Sequence, residues 1–89
     1  MNTRQQIEES IVEICRELET LRGQNNDEAN ARRTVLSQQL HLIGATAAFF
    51  GGYEAMKKLH DAAEEKVGNT NEVGDRLNRA WDLIGGWLA

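Results

Sequence analysis

The sequence predicts an all-α protein, a small bundle of three to four helices that forms a single helical domain over residues 1–89. Three observations predict this fold. Apolar residues recur at steps of three and four, which is the spacing of a buried helix face. No segment alternates apolar and polar residues as a half-buried strand does. The chain has no proline, so glycine and asparagine mark the predicted helix ends.

The first helix is predicted over Arg4 to Arg22. Thr3 and Gln6 before it have the spacing of a capping box, and Gly23 after it is the residue type that ends helices. One narrow apolar seam follows steps of four, three, four and three: Ile7, Ile11, Ile14, Leu18 and Leu21. A seam of this width is typical of a helix that packs against another helix. It is compatible with packing inside the chain and with an interface to a second copy or another protein.

The second helix is predicted to begin at a polar turn, with Asn26 or Asp27 as its N-cap, and to form an antiparallel hairpin with the first. Its buried face is predicted to be the broader one, made of these apolar residues: Val35, Leu36, Leu40, Leu42, Ile43, Ala47, Ala48 and Phe50. Gly51 and Gly52 each cost roughly 1 kcal/mol relative to Ala inside a helix, which favours a break or a sharp bend. The apolar spacing continues beyond them, so one kinked helix and two separate helices both stay open.

The last helix is predicted after Gly68, where Asn69 and Glu72 repeat the capping-box spacing. Its apolar face comprises Val73, Leu77, Ala80, Trp81, Ile84 and Leu88. Gly85 and Gly86 are expected to loosen this helix just before Trp87. Two interpretations apply to the group of Trp81, Ile84, Trp87 and Leu88. The tail folds over the bundle, or it anchors a subunit or target, since Trp is favoured at binding hot spots.

Composition excludes several classes of protein. The chain has 89 residues, 27% of them charged, and a formal net charge of −4. This balance offers no broad basic face, so we expect no direct binding of nucleic acid. The longest apolar stretch, residues 42–50, has about half the length that spans a bilayer. The first residues are polar, unlike a signal peptide. We therefore expect no membrane association and a cytoplasmic location.

Size favours self-association. A chain this short buries only roughly 60–65% of its unfolded surface, and oligomerisation often supplements so small a core. The predicted helices also carry more apolar surface than one copy is expected to bury. We therefore predict a homo-oligomer, a dimer in the first instance, and in addition a protein partner.

No residue pattern predicts catalysis, a metal or a cofactor. His60 and Glu64 lie one helical turn apart, but two ligands do not complete a metal site. Cys15 is the single cysteine and has no base placed near it in the sequence, so we expect a core residue rather than a nucleophile.

Small residues from Gly44 to Ala48 predict a tight helix crossing. The alternative is a pocket that holds a nucleotide-like anion between subunits, with aromatic walls and basic side chains. The residues of this alternative site are Arg32, Arg33, Phe49, Phe50, Tyr53 and Lys57.

The preferred functional hypothesis is a non-enzymatic helical module for protein–protein interaction. Small acidic helical chains of this kind are common among phage and mobile-element accessory proteins that inhibit a host protein by binding it. That association applies to the class, and no motif carries it. The alternatives are an oligomeric protein that binds or sequesters a small ligand, and a structural assembly subunit.

Overall fold

The predicted all-α fold is confirmed. A computed structural model describes residues 4–68 and 70–88 of the chain. In these ranges it contains three α-helices and one short 3₁₀ helix, and no strand. In chain order the elements are α1 (Arg4–Thr20), α2 (Asp27–Val67), the 3₁₀ helix (Thr70–Glu72) and α3 (Val73–Trp81). The predicted caps at Thr3 and Asn69 lie outside the described residues.

Helices α1 and α2 form the predicted antiparallel hairpin. At the turn between them, Asn26 is the N-cap of α2, and its side chain accepts a hydrogen bond of 2.8 Å from the backbone N–H of Ala29. Near this turn Arg32 of α2 pairs with Glu17 of α1. At the opposite end, Ile7 from the start of α1 lies across a groove from the middle of α2. The two helices therefore run in opposite directions along their shared length.

Helix α2 is long and sharply kinked at Gly52. The backbone of Gly52 has φ 66° and ψ −160°, a combination that is essentially restricted to glycine. Helical structure resumes directly after it and continues to Val67, before the predicted end at Gly68. Of the two arrangements that the sequence left open, the structure shows the kinked one.

The predicted breadth of the buried face of α2 is wrong. Leu36 and Leu40 are buried as expected, but Val35 is exposed, and Leu42 and Phe50 are exposed by 61% and 81%. The reason is that α1 and α3 both pack on the side of α2 that carries Leu36 and Leu40. No element of the described chain covers the opposite side.

The last helix is shorter than predicted. It ends at Trp81, and Leu83 then adopts a left-handed φ of 71°. In the turns that follow, the N–H of Trp87 donates to the carbonyl of Ile84, and the N–H of Leu83 donates to the carbonyl of Trp87 at 2.7 Å. The chain therefore reverses and returns Trp87 to the core. The prediction that Leu88 lies on the buried face of this helix is wrong, because its side chain is 77% exposed.

The crossing of α2 and α3 is built around Trp81 and Gly44. Trp81 is fully buried, and its indole Nε1–H donates a hydrogen bond of 2.8 Å to the carbonyl of Leu40. The indole ring lies so close to Gly44 that a Cβ atom there would approach it well inside 3.0 Å. The small residues at this point of α2 therefore serve a tight helix crossing.

Replacing Gly44 with Ala is expected to destabilise the protein. The rigid indole cannot move aside without losing its hydrogen bond, and overpacking costs roughly 1–3 kcal/mol, which exceeds the roughly 1 kcal/mol that Ala gains over Gly in a helix. The approach to the indole is well inside 3.0 Å, which places the cost in the upper part of this range. We therefore expect the free energy of unfolding in urea to fall by about 1–2 kcal/mol after the helix gain is subtracted. The control is Ser37→Ala on the exposed surface of the same helix, which should change it by less than about 0.5 kcal/mol. Equal stability of both variants would contradict the crossing described here.

Candidate functional site

The seam of α1 lies inside the chain. Of its members, Ile11 and Leu18 are buried, whereas Ile7, Ile14 and Leu21 are partly buried and pack against the same core. The seam therefore serves the bundle itself. The seam was one of the predicted interfaces, but its side chains leave little exposed surface for a partner.

The C-terminal aromatic group also belongs to the core. The ring of Trp87 meets that of Trp81 edge-on, with centroids 5.3 Å apart, and lies 5.2 Å from the ring of His60. Its indole N–H donates to the side-chain oxygen of Asn78 at 3.2 Å. Trp87 is only 6% exposed, so the structure shows a tail folded over the bundle. Ile84 is partly buried against the same core.

The residues of the alternative anion site do not come together within one chain. The side chain of Arg32 donates to Glu17, and this hydrogen bond lowers the pKa of the Glu17 carboxyl. Arg33 donates to the backbone carbonyls of Leu21 and Gln24, both at 2.7 Å. Phe50 lies seventeen positions after Arg33 along the helix, about 25 Å at 1.5 Å per residue. The two arginines thus hold the hairpin turn, far from the aromatic side chains.

The remaining basic residue of that site, Lys57, pairs with Asp61 at 3.2 Å. The same carboxylate accepts a hydrogen bond of 3.1 Å from His60 Nδ1, and these two hydrogen bonds, that from His60 first, lower the pKa of Asp61. Among the described residues, no group of three or more His, Cys, Asp or Glu side chains is placed to hold a metal ion.

Cys15 is buried in the core. Burial raises the pKa of its thiol to about 11, and the positive charge of Arg76 offsets this only in part. A thiol of this kind is protonated and unreactive near neutral pH.

The most prominent exposed feature is a pair of aromatic side chains just before the kink. Phe49 and Phe50 are 83% and 81% exposed, and their rings contact each other edge-on with centroids 5.1 Å apart. Tyr53, directly after the kink, is half-exposed and packs on Trp87 at 5.3 Å. Within the described part of the chain, neither phenylalanine makes a ring contact with an aromatic side chain of the core, and both lie mostly in water.

A groove of about 520 Å³ lies beside this pair, between the start of α1 and the middle of α2. None of the described residues that line it carries a charged side chain. These residues include Ile7, Leu42, Ile43, Ala47, Phe50 and Leu59. The groove is open along one side of the helix, so it has the form of a docking channel rather than of an enclosed pocket.

The exposed side of α2 continues this apolar character over several turns. We call it the outer face, and it is marked by three exposed residues seven positions apart: Val35, Leu42 and Phe49. Residues 34–53 contain no Asp, Glu, Lys or Arg, whereas 27% of the whole chain is charged. This uncharged stretch is the sequence signal for an unusual surface, and the spacing of apolar residues alone does not reveal it.

No family model, curated protein or solved structure matches this chain. Among the helices in the described part of the chain, none combines the length and apolar character needed to cross a bilayer.

Replacing Trp87 with Ala is expected to destabilise the fold. Truncating a buried Trp removes its contacts with Trp81 and His60 and leaves a cavity, at a cost of about 3 kcal/mol or more. The matched control is Leu88→Ala at the exposed neighbouring position, which should cost less than about 0.5 kcal/mol. Chemical unfolding followed by circular dichroism measures both variants. If Trp87→Ala is as stable as the wild type, the tail does not belong to the core.

Cys15 is expected to resist alkylation in the folded protein. At about pH 8, iodoacetamide should react at least about a hundredfold more slowly than with the chain unfolded in urea, because the raised pKa leaves little thiolate. The folded state keeps the thiol protonated, so ionisation in the unfolded chain should lower the free energy of unfolding as the pH rises from 9.0 towards about 11. Equal alkylation rates in the two states would show that the thiol is accessible.

Proposed function

We propose that this chain is a non-enzymatic protein-binding module that acts through the outer face of α2 and the groove beside it. The observation that carries the proposal is the pair of phenylalanines at the kink, each more than four-fifths exposed. Monomeric proteins rarely expose large contiguous apolar patches, and such patches mark interaction sites. Aromatic side chains are also enriched at the centres of protein interfaces.

The chemistry of this surface favours a protein over a small anion. Ligand pockets combine apolar walls with a few convergent polar or charged groups that fix the ligand. Here the described residues that line the groove carry no charge. Of the basic side chains predicted to bind an anion, Arg32 and Arg33 are engaged at the distant hairpin turn, and Lys57 is paired with Asp61. The proposal therefore does not use the anion site.

The geometry of the surface favours a helical partner. Val35, Leu42 and Phe49 recur every seven residues along a helix of the described chain, and a helix lying alongside would meet all three. The groove between α1 and α2 runs beside this row. This arrangement resembles the mode in which apolar anchors at helical spacing pack into a groove.

The proposal is tested by site-specific photo-cross-linking. Phe49 is replaced by a benzoyl-phenylalanine in the cells in which the protein is made, and the products are separated by mass. We expect one discrete protein adduct, because the aromatic group would lie within the interface. The matched control carries the same group at Ser37, which is exposed on the side of α2 that faces α3.

Position 37 should give no discrete adduct. The proposal fails if position 49 gives none, or if both positions give the same products, since neither outcome is compatible with a binding site on the outer face.

A further inference from the structure

We infer that the partner of the outer face is a second copy of this chain, so that two α2 helices pack together about a two-fold axis. This inference rests on the proposed function, because it names the occupant of the same surface. Charge, shape, spacing and area on that surface all contribute to it.

The charge pattern favours a like partner. The whole chain carries a net charge of −4, but residues 34–53 carry no formal charge. Two outer faces can therefore meet without bringing like charges into contact. The charges elsewhere are screened over about 8–10 Å at ordinary salt. A different protein is usually selected by complementary charges around the interface, and this face offers none.

The shape of the surface is self-complementary. A two-fold interface uses the same patch on both subunits, so that patch must carry both a projection and the recess that receives it. Phe49 and Phe50 project beside the groove of about 520 Å³ on the same side of α2. The two-fold axis then places the phenylalanines of each copy at the groove of the other.

The spacing suits a pair of helices. Val35, Leu42 and Phe49 repeat every seven residues, which is the period that keeps one helix face against another. The stretch from residue 34 to the kink is about 27 Å long at 1.5 Å per residue. Two such stretches can contact each other over several turns, and the kink at Gly52 ends the contact.

The exposed side chains of the outer face supply a substantial part of the area that a dimer needs. A standard interface buries about 800 Å² on each partner. A buried aromatic side chain covers roughly 150–250 Å², so the two phenylalanines alone supply on the order of 300 Å² per copy. Leu42 and Val35 and the polar residues between them extend this area along α2. Leaving such a patch in water is costly, because each Å² of apolar surface buried contributes about 25 cal/mol.

The inference is tested by the solution mass of the purified full chain, measured by light scattering and sedimentation from about 1 to about 100 µM, the range of modest affinities. We expect a mass near twice the 10.0 kDa of one chain. The double variant Leu42→Glu with Phe49→Glu should have the mass of one chain throughout. Both positions are exposed, so its helical circular dichroism should match that of the wild type.

The matched control is Ser37→Glu, which adds a carboxylate to another face of the same helix and should keep the double mass. A wild type with the mass of one chain over the whole range overturns the inference, and so does a double variant that remains folded and dimeric. The cross-link at position 49 separates this failure from that of the proposed function. If the adduct contains a different protein, only the inference of a second copy is wrong. If no adduct forms, both that inference and the proposed function are wrong.

A lipid surface is the other occupant that an uncharged aromatic patch could meet. Sedimentation with vesicles of mixed phosphatidylcholine and phosphatidylserine should leave the wild-type protein in solution. If the protein has the mass of one chain and binds vesicles through Phe49, the membrane is the partner and the inference is wrong.

Discussion

The contact between Trp81 and the bare backbone of Gly44 is the constraint on which the rest of the structure depends. It brings α3 closer to α2 than any side chain at position 44 would allow. The hydrogen bond from the indole to the carbonyl of Leu40 fixes the depth and rotation of the ring. Trp87 then packs edge-on against it. The position of the tail, and with it the burial of the last turn, therefore follows from one close approach between two helices.

The same contact explains why the outer face of α2 is exposed. Because α3 is held on the side of Gly44 and α1 packs on the side of Leu36, both neighbours lie over one half of the circumference of α2. Two neighbouring helices cannot surround the helix that lies between them. The apolar residues on the other half, Leu42 and Phe49 among them, remain in water within one chain. The outer face is thus exposed because α1 and α3 both pack on the opposite side of α2.

The sequence predicted more of the fold than of the candidate surface. Helical spacing located α1 and its buried seam, and residue type located the N-cap at Asn26 and the end of α2 before Gly68. Spacing could not separate Leu40 from Leu42, because α2 carries apolar residues on both sides and only the positions of α1 and α3 decide which are covered. Local sequence patterns also could not predict that Trp87 packs back on the core. That position depends on the left-handed backbone of Leu83 and on the ring of Trp81 in α3.

The kink in α2 limits which amino acid substitutions this chain can tolerate. Nothing lies within 4 Å of the space that a side chain at Gly52 would occupy, so every amino acid would fit there sterically. The backbone conformation at that point nevertheless excludes nearly all of them. A substitution would favour a straight α2, which would carry Tyr53 away from Trp87 and redirect the half of the helix that contacts α3. Position 52 is therefore a place where surface mutation, usually tolerated, would alter the architecture, and related chains should keep glycine there while their neighbouring surface residues vary.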